Sequence, residues 1–258
     1  MRRVPCTGGL YVLNALSLFS GIGGLDIAAE WAGFKTVAFC ERDKFCKSVL
    51  AARWPNVRIY DDVRTMRGDE LPAVELVVGG YPCQPFSYAG KRGGHDDERH
   101  LWPEMFRLVR ELAPTWVVGE NVKGHVTLGL DEVLDDLEGA GYAARAFVFP
   151  ACAVDAPHTR ERLFVVAHSS RARQLRAQQQ SDGNSSAQRG GTDDAGAIRS
   201  RARWDVWSTE SRPESMAYGV RGRVDRLRAY GNAVVPQQAY PIFAAIAETY
   251  NVKVSGDE

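Results

Sequence analysis

From residue 10 onward, seven short apolar runs rich in β-branched and aromatic residues recur, most of them separated by a helical pattern. The runs are YVLNALSLF (11–19), KTVAFCE (35–41), VRIY (57–60), VELVVGG (74–80), TWVVGE (115–120), ARAFVFP (144–150) and RLFVVAH (162–168). Between them lie GLDIAAEWAG, DKFCKSVLAARW, PEMFRLVRELA and DEVLDDLEGAG, with Asp43 and Pro103 as helix starts and Gly33, Gly139 and Gly141 as stops. Such alternation predicts an α/β fold: a doubly wound, mostly parallel sheet covered by helices on both faces. With 258 residues and 45% hydrophobic content, the chain can bury one sizeable core plus a small appendage.

The texture changes near Ser169. The segment SSRARQLRAQQQSDGNSSAQRGGTDDAGAIRSRAR has almost no large apolar residue and cannot build a core. Twelve Arg stand against seven acids between residues 168 and 228, a local excess of about five positive charges. The pattern then resumes with RLRAYGNAVVPQQAYPIFAAIAETY, read as a loop and an apolar helix that packs back on the sheet. The expected division is therefore 1–168 as the main domain, 169–227 as a short irregular region, and 228–258 as a segment completing the main domain.

Bulk charge excludes little. Lys+Arg and Asp+Glu are both 32, but 26 of the basic residues are arginine, whose planar fork suits phosphate and guanine edges. A GC-rich genome gives the same bias. Five cysteines, an odd number without a C-x-x-C pair, exclude a disulfide scaffold and a thiolate zinc site. No metal is expected, and a reducing cytoplasm fits. Arg2 and Arg3 before an apolar run resemble a secretion signal, but Asn14 interrupts the run and it reads better as the first core strand. No run is long enough to span a membrane.

Two places carry chemistry. SLFSGIGGLDIAAE reads as strand, glycine turn and helix, and Gly21, Gly23 and Gly24 allow backbone to approach a ligand. Glu41 ends the next strand twenty residues after Gly21, where a carboxylate can accept from ribose hydroxyls. This suits NAD, FAD or S-adenosylmethionine, with a purely structural turn as the alternative. Leu25 and Asp26 replace the third glycine of a dinucleotide fingerprint, which disfavours a pyrophosphate. Asp62 could accept from an adenine amino group, or cap a turn.

The second place is VVGGYPCQPFS. Pro82 and Pro85 cannot continue a central strand, so Cys83 is expected at the mouth of the sheet. A thiol suits attack on an electron-poor ring carbon. Adding a thiolate to cytosine C6 makes C5 electron-rich enough to accept a methyl group, provided an acid supports N3 and donors hold O2. Glu120 and Asn121 end the fifth run, and Arg160 and Arg162 stand two apart before the last one, on one side of it. Each has a bland reading: a buried inert thiol, a loop cap, an edge charge pair.

The ordered motifs LFSGIGG, CERD, DDV, GGYPCQPFS, ENV, RER and YGNAVVPQ resemble the DNA cytosine-5 methyltransferases, which use S-adenosylmethionine. The resemblance covers nearly the whole chain except residues 169–217, and is closest to the compact solitary enzymes of phages and prophages. It implies the Rossmann-like methyltransferase fold, with 169–227 as target-recognition region. Cys83 would be the nucleophile and Glu120 the N3 acid. Arg160 and Arg162 would orient the flipped base, Arg162 nearest O2. The cofactor would meet Phe19, Ser20, Gly21, Gly23, Gly24, Glu41, Asp62, Val63, Pro82, Leu101, Asn232 and Val234, so the C-terminal segment must return to the first strand. Double-stranded DNA would be contacted by Gln84, Ser87, Lys91 and Arg92 after the nucleophile, and by Arg201 and Arg203. The enzyme is expected to be a cytoplasmic monomer; a partner endonuclease stays open.

The departures are His158 where the family has Gln, Asp155 where Gly is common, a shortened motif before the final Gly-Asn, and the small recognition region. A tRNA cytosine methyltransferase of the same fold is the nearest alternative, but its usual Cys-Phe-Thr tripeptide does not occur. A catalytically silent DNA-binding relative and an NAD-dependent oxidoreductase are the others.

Overall fold

The computed structural model describes residues 12–82, 100–169 and 223–250. Seven strands form one sheet: β1 Leu13–Leu18, β2 Phe34–Cys40, β3 Arg58–Tyr60, β4 Leu76–Gly79, β5 Trp116–Val122, β6 Ala143–Pro150 and β7 Glu161–His168. Their order is β3-β2-β1-β4-β5-β7-β6. The helices are α1 Gly24–Trp31, α2 Lys44–Arg53, α3 Trp102–Leu112, α4 Leu130–Gly139, α5 Arg223–Asn232 and α6 Pro236–Glu248. Every strand falls on one of the seven apolar runs. No described helix is long and apolar enough to cross a membrane.

Alternation along β1 explains the layers. Leu13 and Ala15 pack toward Leu25, Ala28 and Ala29 of α1 and Phe243, Ile246 and Ala247 of α6. Leu16 and Leu18 point the other way, into a core with Trp102, Met105 and Leu108 of α3 and Val133 and Leu137 of α4. Both faces are therefore covered, as a parallel sheet requires. Burying a side chain such as Phe243, fully enclosed here, contributes roughly 1.5–3 kcal/mol. Asp43 caps α2 by accepting from the Cys46 amide at 3.0 Å, and Pro103 stands in the first turn of α3.

One feature departs from the sequence reading and another refines it. RLRAYGN is helical rather than a loop: α5 runs to Asn232, with Ala229 buried beneath it and Arg228 3.8 Å from Asp43. Arg, Leu and Ala are strong helix formers, so local propensity outweighs Gly231. The second is the direction of β7. It pairs antiparallel with both β5 and β6, while β1 to β5 pair in parallel.

The C-terminal segment does return to the first strand. A Cβ built on Gly24 would lie 2.5 Å from the Val234 carbonyl oxygen. Gly24→Ala should therefore lower stability by roughly 1–3 kcal/mol. Gly139→Ala, at a helical site where a Cβ meets nothing within 4 Å, should be neutral or raise it by up to about 1 kcal/mol. Urea midpoints of the two variants check this, and equal midpoints would mean that Val234 does not rest on Gly24.

Candidate functional site

The carboxyl ends of β1, β2 and β3 gather one group of side chains. Phe19 leaves β1 with φ 52°, and Gly21 and Gly23 follow at 56° and 84°, so the turn is held in a left-handed backbone. At Gly23 the Trp54 ring would stand 2.5 Å from any Cβ, whereas Gly21 has nothing within 4 Å and opens onto free space. Glu41 bridges two elements: its carboxylate accepts from the Gly21 amide and from the Asp43 amide, each at 2.7 Å. Ser20 donates to the Ser17 carbonyl at 3.2 Å.

Asp62 accepts from the Arg64 amide at 3.0 Å and so caps the short turn Val63–Thr65. That is the bland alternative considered for it, and its other oxygen lies 3.6 Å from Arg64. Val63 is buried in the α3–α4 core, and Phe19 and Leu101 pack against the same core. A groove of about 610 Å³ runs beside Glu41, lined by Arg42, Asp43, Lys44, Phe45 and Asp225.

β4, β5 and β7 gather a second group. β4 ends at Gly79, opposite Gly119, and β5 runs on for three residues. Glu120 is thus the first residue past the paired end. A Cβ on Gly80 would stand 3.0 Å from its Oε2. The antiparallel register sets Arg162 opposite Val122, diagonal to Glu120 on the same face. The Arg162 Nε lies 2.9 Å from Glu120 Oε1.

Burial dominates the acid's chemistry. Glu120 is 8% exposed, and desolvation pushes its carboxyl up to about 7 against the pull of Arg162 and Arg160. It is therefore poised to carry a proton near neutral pH. Next to it, Asn121 donates from Nδ2 to the Tyr81 carbonyl at 3.0 Å, which ties β5 to the chain leading into Pro82. Tyr81 is itself buried, 5.1 Å from the Trp102 ring and 5.3 Å from His125.

Arg160 makes different hydrogen bonds from Arg162. It sits at φ 26°, and its Nη2 donates to the carbonyls of Gly231, at 2.8 Å, and Ala233. Its own carbonyl accepts from Gln238 Nε2 at 3.0 Å. Arg162 meets the acid directly, while Arg160 clamps the α5–α6 link and acts on Glu120 through its charge. Asn232 lies within that clamped link and is exposed, while Val234 is buried against Gly24. Asp155 adopts φ 61°, which accounts for glycine being common there, and Asp tolerates that conformation better than most residues.

Cys83 lies outside the described residues, as do Gln84, Ser87, Lys91, Arg92, Arg201 and Arg203. Pro82, half-buried, is the last described residue before the thiol. Two other thiols are poor nucleophiles: burial pushes Cys40 and Cys46 up to about 12. Sequence reasoning missed Gln238 and the fully buried Asp26. Gln238 stood one residue past the YGNAVVPQ motif, within RLRAYGNAVVPQQAYPIFAAIAETY, without a role, and Asp26 was noted only as a replaced glycine.

Residues 13–216 match the family model for C-5 cytosine-specific DNA methylases. Among curated relatives, the type II methyltransferase M.PspPI of Psychrobacter sp. strain TA137 is 39% identical over 163 residues, covering 59% of this chain and 39% of that protein. M.AquIA of Picosynechococcus sp. is 35% identical over 175 residues, covering 59% of this chain and 71% of the relative. The chain spans less than half the length of M.PspPI and of M2.BsuMI from Bacillus subtilis, of which it covers 42%. A solved Escherichia coli protein, described as a DNA modification methyltransferase encoded within a prophage, superposes with TM-score 0.53 at 27% identity. That superposition covers 62% of this chain and 48% of the other. Spodoptera frugiperda DNMT2 shares the fold at TM-score 0.53 and 23% identity, covering 61% of this chain and 50% of its own.

The Glu120 carboxyl gives a pH signature. Its ordinary value of 4.5 rises to about 7 in the fold, so the folded state holds the proton to higher pH than the unfolded chain. The associated stability is fully present below about 4.5 and is lost as pH rises through about 7, on the order of a few kcal/mol. Asp26, raised to about 7 by burial, adds in the same direction. Glu120→Gln should therefore flatten, without abolishing, the fall in melting temperature between those values; an unchanged slope would refute the raised carboxyl.

Proposed function

The chain belongs to the C-5 cytosine-specific DNA methylase family, and from that membership we propose that it transfers a methyl group to C5 of a cytosine flipped out of duplex DNA, through a covalent bond from Cys83 to C6. The observation that carries this reading is the buried Glu120–Arg162 pair beside the strand end that leads, within four residues, to Cys83.

The cofactor is S-adenosylmethionine, which supplies an electrophilic methyl on a sulfonium. The residues present fit such a group: the β1–α1 turn leaves open space at Gly21, and the Glu41 carboxylate stands at the end of β2. Phe19, Ser20, Gly21, Gly23 and Gly24 would hold it from one side and Glu41, Asp62 and Val63 from another. Pro82, Leu101, Asn232 and Val234 would close the site.

On the DNA side, Arg162 would donate to O2 and Glu120, protonated near neutral pH, would stand against N3. The Cys83 thiolate adds to C6, and the ring π electrons move toward C5 while the N3 acid neutralises the negative charge. After C5 is methylated, water or a base takes its proton, the C5–C6 double bond reforms, the C6–S bond breaks to release the thiolate, and N3 returns its proton to Glu120. Flipping the base costs roughly a few kcal/mol. Gln84 and Ser87 would brace the gap, and Lys91, Arg92, Arg201 and Arg203 would meet the duplex, largely at phosphates. Binding should therefore weaken with salt. The protein would act as a monomer in the cytoplasm.

Two measurements test this. A substrate duplex carrying 5-fluorocytosine should trap the protein covalently through Cys83, because the fluorine at C5 cannot leave as a proton does. Cys83→Ala should lose transfer by at least about 10³-fold while still binding S-adenosylhomocysteine. Methyl transfer by the alanine variant at the normal rate would refute the nucleophile.

A further inference from the structure

Asp26 is an ionisable residue outside both groups of side chains described above. It lies in the first turn of α1, directly after the glycine turn, and is fully buried. Both carboxyl oxygens are engaged: Ser17 Oγ of β1 is 3.0 Å from Oδ2, and Thr36 Oγ1 of β2 is 3.0 Å from Oδ1. Ser17 Oγ is in turn 2.9 Å from Ser20 Oγ, and Ser20 lies in the turn assigned to the cofactor. A hydrogen-bonded chain thus runs from a buried carboxyl to a half-buried hydroxyl at the cofactor edge.

The chain has two polarities. With Asp26 ionised, it can only accept, so Ser17 and Thr36 both donate to it. The Ser17 hydroxyl hydrogen is then committed, and its oxygen draws the Ser20 hydrogen inward. With Asp26 protonated on Oδ2, the carboxyl donates to Ser17, Ser17 donates to Ser20, and the Ser20 hydrogen is released from Ser17. The carbonyls of Ser17, at 3.2 Å, and Cys40, at 3.4 Å, are weaker competitors for it.

We propose that Asp26 is a positioning residue of the cofactor site: through Ser17 it sets the direction of the Ser20 hydroxyl, and its protonated form turns that hydroxyl toward a hydrogen-bond-accepting group of the cofactor. This rests on reading the β1–α1 turn as the S-adenosylmethionine site. Binding is then linked to proton uptake at Asp26.

The surroundings allow that proton at neutral pH. Burial raises the Asp26 carboxyl to about 7, against the hydrogen bonds from Ser17 and Thr36. Glu30, on the same helix, pushes in the same direction as burial, with Arg53 3.8 Å from its carboxylate. Ser17 and Thr36, facing from β1 and β2, are neutral. α6, which packs on α1, buries Gln238, Ala239, Phe243, Ile246 and Ala247, none of them titratable.

The test is calorimetric titration of the full chain with S-adenosylhomocysteine between about pH 6 and about pH 8.5. Affinity of the unmodified protein should fall above about 7, by at most roughly tenfold per pH unit for one linked proton. Asp26→Asn keeps a donor in place and cannot ionise, so its affinity should follow only the ligand's own titration. Ser20→Ala should bind more weakly and lose the same pH dependence. Thr36→Val removes a bond that favours the ionised form, so its midpoint should move to higher pH. Identical pH dependence in the unmodified protein and Asp26→Asn overturns the proposal; if that variant does not fold, an unmoved midpoint in Thr36→Val does so. No binding by the unmodified protein at any pH would instead overturn the cofactor site itself, and the proposal with it.

Discussion

Because β7 runs against both of its neighbours, the residues that precede it arrive at the edge where the parallel strands end. In an all-parallel sheet Arg160 and Arg162 would stand at the opposite edge, a full strand length from Glu120. Reversal brings Arg162 to 2.9 Å from the acid. The order of the sheet divides the rest. β1 sits with β2 and β3 on one side and β4, β5 and β7 on the other, so loops leaving β1 and β4 diverge and open a crevice. The glycine turn, Glu41 and Asp62 lie on the first side and Glu120 and Arg162 on the second, so in the proposed reaction the methyl group would cross the crevice.

Keeping Glu120 in that crevice is costly. Breaking a buried pair by removing one partner strands the other charge, while forming it recovers only part of the desolvation. The carboxyl responds by holding its proton to about 7, the state that the proposed acid at N3 would need. Asp26 meets the same pressure with two hydroxyl donors and no cation. The fold therefore contains two carboxyls raised chiefly by burial, Glu120 on β5 and Asp26 on α1 beside β1 and β2. Stability given up at neutral pH is the expected companion of such tuning.

The elements were legible because their signals are local. Val- and Leu-rich runs mark β4 and β5, the glycine turn marks the β1–α1 junction, and Asp43 and Pro103 mark the helix starts. Strand direction is not local: nothing in RLFVVAH distinguishes a parallel from an antiparallel partner, and the reversal follows from the short connection between β6 and β7. The same limit hid the different hydrogen bonds of Arg160 and Arg162. Spacing by two predicts a common side within a strand, but Arg160 stands before the strand at φ 26° and follows the α5–α6 link instead. Asp26 was visible only as an exception to a glycine pattern, since a buried carboxyl is recognised by its partners Ser17 and Thr36, which lie on two strands beneath its helix.

Three contacts fix the C-terminal segment to both halves of the site: the Val234 carbonyl over Gly24, Arg160 on the carbonyls of Gly231 and Ala233, and Gln238 on the carbonyls of Phe149 and Arg160. On the other side, the amide of Ser169 donates to the Thr115 carbonyl at 2.9 Å, so β7 is tied down to its last residue. Residues 170–222 thus join two points that are each anchored to the sheet. The entropy of closing such a connection grows only with the logarithm of its length, about 0.6 kcal/mol per doubling. A family built this way can lengthen or shorten the segment between those anchors without moving Glu120, Arg162 or the glycine turn. The chain's match to relatives of which it covers only 39% and 42% is what that geometry permits.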